Sequence, residues 1–175
     1  MCYNIVWGGN IMTYVINNNS NIYNVQAQKA SSISTQTGSG TYQDLDTSDI
    51  TYNCDGLASK VIYEYTANFV RAGTSGGVLL AKLMQYNTST SAWEIVSDSH
   101  YITQGFSGGS SHPRNNYTFK YVLDNWSGNK QLKMQWKVIA GGFYAHYTEQ
   151  IVNFSDDAIN TSYVTKPFLI MHSIK

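Results

Sequence analysis

The sequence predicts an all-β protein, an antiparallel β-sandwich of the jelly-roll type. Three observations predict it. Apolar and polar residues alternate along several strand-length runs, Gly-, Ser- and Asn-rich segments separate those runs, and almost no stretch has helical periodicity. The 175 residues fall in the usual size range of one domain. Ten or so short strands in a domain of this size are typical of a sandwich or jelly roll.

The N-terminal region, residues 1–35, differs in composition from the rest of the chain. It is rich in asparagine, carries almost no charge and contains two predicted strands, 11–16 and 22–28. We interpret it either as an edge strand with a linker or as an assembly arm that reaches into a neighbouring subunit. Residues 36–175 are then the jelly-roll domain.

The first strands of that domain are predicted at 49–53 and 60–69. In the second of these, four large apolar side chains share one face, because side chains along a strand point alternately to its two sides. They are Val61, Tyr63, Tyr65 and Phe69. The segments 78–86, 92–97 and 100–105 predict further strands.

The C-terminal half repeats this pattern. One predicted strand places Tyr117, Phe119, Tyr121 and Leu123 on one side, and another places Leu132, Met134, Trp136 and Val138 together. Segments 130–140 and 143–153 are predicted to form a hairpin across Gly141-Gly142, with Phe143, Ala145, Tyr147 and Ile151 on one face. A last strand is predicted at 167–174.

The charge content excludes some classes of partner. Only 13% of residues are charged and the formal net charge is zero, so nothing steers the chain towards a phosphate backbone, and we expect no nucleic-acid partner. No run approaches the length of a membrane span, so we expect no membrane insertion. A neutral surface also lacks a repulsive barrier to self-association, which favours a homo-oligomer.

No residue constellation indicates catalysis, a metal or another cofactor. The four histidines (His100, His112, His146 and His172) lack zinc-site spacing. The run 44–55 resembles a calcium loop but lacks its glycine and closing glutamate. Asp156 and Asp157 are adjacent and would project apart, whereas glycosidase chemistry needs two converging carboxylates. Cys2 and Cys54 are interpreted as thiols, with a bridge between them left open. We therefore expect a non-enzymatic protein without a cofactor.

The aromatic residues are the remaining signal, since 14 Tyr and 4 Trp exceed what one core usually takes. Aromatic side chains on an outer sheet face serve either as anchors of a protein interface or as platforms for sugar rings. The alternative is that they fill the sandwich. The candidate interface or ligand residues are Tyr63, Tyr65, Trp93, Tyr117, Tyr121, Trp126 and Tyr147.

Several segments resemble a β-sandwich domain of virion structural proteins from phages and large aquatic viruses. The resemblance begins with a tyrosine and an aspartate before a Thr-x-Thr-like strand in 40–53 and continues with Ala-Ser-Lys and an aliphatic strand in 58–65. It extends to 121–126, to the strand 130–138 and to Lys-Pro-Phe-Leu-Ile at 166–170. It covers about residues 35–175 and does not include the Asn-rich start.

The resemblance implies a trimeric jelly roll similar to the tumour-necrosis-factor type. It implies a virion location, with the chain as a minor capsid, decoration, spike or fibre-head component. Its expected activity is assembly with copies of itself and with other capsid or tail proteins, and host attachment is a further option. The alternative function is a carbohydrate-binding module or lectin that uses Trp93 and Trp126 with Asn and Asp from the loops.

Overall fold

The computed structural model describes residues 6–8, 11–14, 22–30, 34–72, 77–96, 101–104, 114–146 and 166–175. These residues form strands joined by turns and loops, and no helix occurs among them. The predicted all-β class is confirmed. The strands are β1 (Val6–Gly8), β2 (Ile11–Tyr14), β3 (Ile22–Lys29), β4 (Gln36–Thr37), β5 (Gln43–Asp44), β6 (Ile50–Asp55), β7 (Lys60–Ala72), β8 (Val78–Asn87), β9 (Ala92–Ile95), β10 (Tyr101–Gln104), β11 (Arg114–Asp124), β12 (Ser127–Ala140), β13 (Gly142–Ala145) and β14 (Phe168–Ile174).

The strand pairing is that of a jelly roll. Eight strands form four nested antiparallel pairs. The first of these strands pairs with the last, the second with the last but one, and so on inward. The pairs are β3 with β14, β6 with β12, β7 with β11, and β8 with β10. A long hairpin rolled up on itself gives this nesting, which is the double-sheet arrangement of jelly rolls.

The four pairs are distributed over two sheets. Sheet A runs β1-β2-β3-β14-β7, with β11 on the far side of β7, and β13 and β4 beside the end of β7 that β14 leaves unpaired. Sheet B runs β10-β8-β12-β5, with β9 also beside β8 and β6 also beside β12. The inner faces of the two sheets enclose the core.

Alternation along the strands builds that core. In β12 the side chains of Leu132, Met134, Trp136 and Val138 are buried, and the residues between them are half-buried on the other face. The ring of Phe69 packs edge-on against Trp136 at 5.5 Å and also against Tyr117 and Phe119. Such edge-to-face contacts are a preferred geometry of aromatic pairs.

Tyrosine hydroxyl groups join the two layers with buried hydrogen bonds. Tyr63 donates to the Ser48 carbonyl at 2.5 Å, and Tyr65 donates to the Asp46 carbonyl at 2.8 Å. Burial is the main reason that the pKa values of both phenols are raised above 10.0. The polar end of each buried tyrosine is therefore satisfied within the sandwich.

The predicted hairpin between 130–140 and 143–153 is wrong. At its C-terminal end β12 has β8 on one side, and on the other side Val138 N donates to the Ser39 carbonyl just beyond the pairing with β5, so neither edge is free for a hairpin partner. The chain instead crosses to sheet A, where β13 pairs with β7 and β4. Gly141, with φ 70°, makes the crossing, since the left-handed backbone region favours glycine.

The short strands β1, β4 and β5 were not predicted, whereas the other strands match predicted segments. In the N-terminal region, β3 pairs with β14 of the same chain, and β1 and β2 continue sheet A beyond it. The assembly arm and the division at residue 35 stay predictions. Cys2 lies outside the described residues, and Cys54 is a buried free thiol.

Candidate binding faces

Two of the candidate surface aromatics lie in the core. The side chains of Tyr63 and Tyr65 are fully buried, because the odd-numbered residues of this part of β7 point between the sheets. Their rings cannot reach a partner or a ligand. The structure therefore corrects the expected surface role of these two residues, because both belong to the core.

Tyr117 and Tyr121 on β11 are half-buried and also face inward. Tyr117 packs edge-on against Phe69, and Tyr121 packs against Tyr63 with ring centres 6.1 Å apart. Both side chains contact the core cluster. Tyr147 lies outside the described residues.

The two candidate tryptophans have separate neighbours. Trp93 on β9 packs against Tyr86 and lies below the Lys133 ammonium, which is 4.2 Å from its ring centre. Trp126 packs against Tyr52 and Lys130, and its Nε1 donates to the Gly128 carbonyl at 3.0 Å. These contacts do not bring the two tryptophans together into one site.

The outer surface of sheet A carries two of the exposed large apolar residues, Val122 and Phe168. We call it the A face and define it by Ile62, Glu64, Lys120, Val122, Phe168 and His172. Val122 is 62% exposed and Phe168 is 38% exposed. Val122 lies opposite Ile62, and Ile62 lies opposite His172, so these residues form one row across three strands.

The lysines of the A face are neutralised within the chain. Lys120 Nζ lies 3.7 Å from Glu64 Oε2. On the far side of the Val122 row, Lys60 Nζ lies 2.6 Å from Asp124 Oδ1. The hydrogen bond from Lys60 lowers the pKa of Asp124. Partial burial lowers the pKa of His172, and Glu64 opposes that effect. The A face therefore combines apolar side chains with balanced charges.

The outer surface of sheet B has a different character. We call it the B face and define it by Tyr42, Asp44, Lys82, Trp93, Lys133 and Lys137. The ammonium groups of Lys82 and Lys137 lie 4.0 Å and 4.7 Å from the centre of the Tyr42 ring. With Lys133 over Trp93, three lysines lie against two aromatic rings.

Asp44 is the carboxylate of this face. It accepts from Lys133 Nζ at 2.6 Å and from Gln135 Nε2 at 2.9 Å. Burial raises the pKa of Asp44, but the two hydrogen bonds and the Lys133 charge outweigh that effect and lower it overall. Asp44 is therefore ionised at neutral pH and still half exposed, with 54% of its side chain in solvent.

A buried polar cluster lies near the end of β13. His146 Nε2 is 3.1 Å from the Asp46 carbonyl, and a carbonyl can only accept, so Nε2 carries the proton of the neutral ring. Tyr65 and Thr47 complete the cluster. Burial lowers the pKa of His146 below 6.5. His146 and Tyr65 are buried in this cluster, and their hydrogen bonds explain them as part of the fold.

Among the described residues, no three His, Cys, Asp or Glu side chains converge as metal ligands. The same residues include no helix long and apolar enough to cross a membrane. The sequence analysis missed Lys82, Lys137 and Tyr42 as site residues. The alternation in β12 could have shown that Lys133 and Lys137 point outward, because they lie on the other face of the strand from its buried residues.

Comparison with protein-family models and with curated protein sequences finds no match. Among solved structures, the chain is similar to Eiger TNF from S. frugiperda, with 8% identity, a TM-score of 0.39, and coverage of 81% of this chain and 92% of that chain. It is also similar to a structure of the Gt strain of infectious bursal disease virus. There the identity is 10% and the TM-score 0.33, covering 94% of this chain and 47% of that chain.

A third similar structure is a mutant VP2 protein of infectious bursal disease virus in derived T=1 particles. Its identity is 11% and its TM-score 0.29, over 98% of this chain and 46% of that chain. The chain thus spans about half the length of the viral chains it matches. These TM-scores are too low to establish a shared fold, so the jelly-roll assignment comes from the strand pairing of this chain.

Proposed function

We propose that this protein is a non-enzymatic structural protein that acts by assembly with copies of itself through the A face. The observation that carries the proposal is the exposure of two large apolar side chains on the outer side of sheet A, Val122 at 62% and Phe168 at 38%. Burying apolar area against another chain is the dominant favourable term in association. A second copy is therefore the occupant that we propose.

The charges of the A face support a second copy as the partner. Lys120 is next to Glu64 and Lys60 is next to Asp124, so a neighbour of the same sequence meets no net charge. An ion pair with its partner in place is less costly to bury than a lone charge. We propose closed symmetry with three copies, as the resemblance to trimeric jelly rolls implies, in which the A face packs against a second, different surface of the neighbouring copy.

We place this assembly in a virion, as a minor capsid, decoration, spike or fibre-head component. The support for this placement is the resemblance of residues 35–175 to virion β-sandwich domains described above. Host attachment and contacts with other capsid or tail proteins belong to the same proposal.

The test is the mass of the protein in solution, measured by sedimentation equilibrium. We expect the wild-type chain to have the mass of a trimer. Val122→Asp introduces a charge at the most exposed apolar residue of the A face, and we expect it to shift the equilibrium to the monomer.

Ile139→Asp is the matched control. Ile139 is 60% exposed, almost the same as Val122, but it lies near the end of β12 in sheet B. We expect this variant to keep the wild-type mass. A monomeric wild-type protein, or dissociation of both variants alike, would contradict assembly through the A face.

A further inference from the structure

We propose that the B face is a binding site for an acidic glycan, held by Lys82 and Lys137, whose ammonium groups both lie against the Tyr42 ring. Acidic here means that the sugar carries carboxylate or sulfate groups. The proposal is independent of assembly, because the B face and the A face lie on opposite outer surfaces of the sandwich.

The first support is the position of the two ammonium groups. The Nζ atoms of Lys82 and Lys137 lie 4.0 Å and 4.7 Å from the centre of the Tyr42 ring, so the two nitrogens are at most 8.7 Å apart. Both lysine side chains are half-buried. Contact with an aromatic ring holds a flexible lysine near the sheet, so less side-chain entropy is lost when an anion binds.

The second support is the missing counter-ion. Lys60, Lys120 and Lys133 each lie within 4 Å of a carboxylate. Among the described residues, no carboxylate lies that close to Lys82 or Lys137, and the same is true of Lys29 and Lys130. The B face therefore has three lysines and one carboxylate in a chain whose formal net charge is zero. This local excess of positive charge is complementary to an anionic ligand.

The third support distinguishes a sugar from a nucleic acid. Asp44 lies on the same face and is half exposed and ionised. A polyphosphate backbone presents only negative oxygens to this carboxylate and is repelled by it. A sugar presents hydroxyl donors beside its acidic groups, so Asp44 and the Gln135 amide can hydrogen-bond to it.

The experiment is isothermal titration calorimetry at low ionic strength with three oligosaccharides of equal length. Oligogalacturonate carries carboxylates, a heparin fragment carries sulfates, and a maltose oligomer is neutral. We expect binding of at least one acidic oligosaccharide and none of the neutral one. The two acidic probes show which anion the site takes.

The variant Lys82→Gln/Lys137→Gln removes both ammonium groups, and we expect it to weaken binding about tenfold or more. Lys29→Gln/Lys60→Gln is the matched control, because it removes the same charge from two exposed lysines of sheet A. We expect that variant to bind within about twofold of the wild type. All substituted side chains are exposed or half-buried, and a melting curve checks that each variant folds.

Asp44→Asn separates the two ligand classes. A glycan that donates to the carboxylate binds this variant more weakly, whereas a polyphosphate binds it more tightly. Three results would overturn the proposal: no binding of either acidic probe, equal losses in the two double variants, or a single-stranded oligonucleotide that outcompetes both sugars. None of them depends on the mass of the protein, so the glycan site and the assembly are tested separately.

Discussion

The hydroxyl of Tyr52, on β6 of sheet B, lies 2.7 Å from the hydroxyl of Ser173, on β14 of sheet A. The single proton of Tyr52 goes to the Asn24 carbonyl, so Tyr52 accepts the hydrogen bond from Ser173. Both side chains are fully buried. This bond connects the two layers of the sandwich in the core.

We expect Tyr52→Phe to lower the free energy of unfolding by about 1–2 kcal/mol, because two hydrogen bonds are lost without a change in ring packing. Ser173→Ala should cost a similar amount. The double variant should cost less than the sum of the two single variants, since both remove the same bond. Urea unfolding of the four proteins measures the coupling, and strictly additive losses would show that the bond contributes nothing.

Trp136→Ala is expected to destabilise the fold by about 3–5 kcal/mol. Trp136 is fully buried in the middle of β12, and its ring packs against Phe69. Trp93→Ala is the comparison, because Trp93 is half-exposed on the B face, and its loss should cost about 1 kcal/mol. Thermal unfolding distinguishes the two, and near-native stability of Trp136→Ala would show that this face of β12 is not core.

Gly38→Ala and Gly40→Ala should have opposite effects on stability. A Cβ at Gly38 would lie 2.4 Å from Val138 Cγ2 and 2.8 Å from the Phe143 carbonyl oxygen, whereas at Gly40 nothing lies within 4 Å. We expect about 1–3 kcal/mol of destabilisation at Gly38 from overpacking. At Gly40 we expect a gain of up to about 1 kcal/mol, because the unfolded chain loses freedom. Melting temperatures in the reverse order would contradict the close packing of the Gly38 segment.

The stability of the protein should fall as the pH is lowered through about 6.5, and His146 should account for most of this fall. Its pKa is lower in the folded protein than 6.5, chiefly through burial. The unfolded chain therefore binds more protons in this range, so acid favours unfolding. Protonation would also place an N–H on Nδ1, which has no hydrogen-bond partner among the described residues.

His146→Asn removes the titration, and asparagine tolerates the left-handed backbone at this position, φ 56°. We expect the free energy of unfolding of this variant to change less than that of the wild type between about pH 7.5 and pH 5.5. His172→Gln should have a smaller effect, because His172 is only half-buried and burial is the main cause of the lowered pKa at both histidines. A wild-type slope that persists in His146→Asn would exclude His146 as its source.

The sequence was sufficient to predict the long strands but not to predict which strands pair with each other. Alternation predicts β7, β11 and β12 because each has one face in the core. The two-residue strands β4 and β5 are too short to show an alternation of apolar and polar residues. The predicted hairpin failed because the partner of β13 depends on which sheet edges are free, and that is a property of the whole fold.

The same limit applies to the binding faces. Counting aromatic residues predicted an excess on the surface, but Tyr63, Tyr65, Tyr117 and Tyr121 all turn inward, where buried hydroxyl groups find partners in the opposite layer. The B face joins Tyr42, Lys82 and Lys137 from three distant segments. They meet because Gln135 lies opposite both Asp44 and Lys82, and this register is not readable from the sequence.

The position of β14 has a consequence for biosynthesis. β3 is joined to β7 of sheet A through β14, which lies between them, so β3 lacks this partner strand until residues 168–174 have left the ribosome. The incorporation of β3 into the sheet must then wait for β14, and the closure of this long loop is expected to be slow. A chain truncated before residue 168 would leave the edge of β3 that faces β14 unpaired and prone to aggregate.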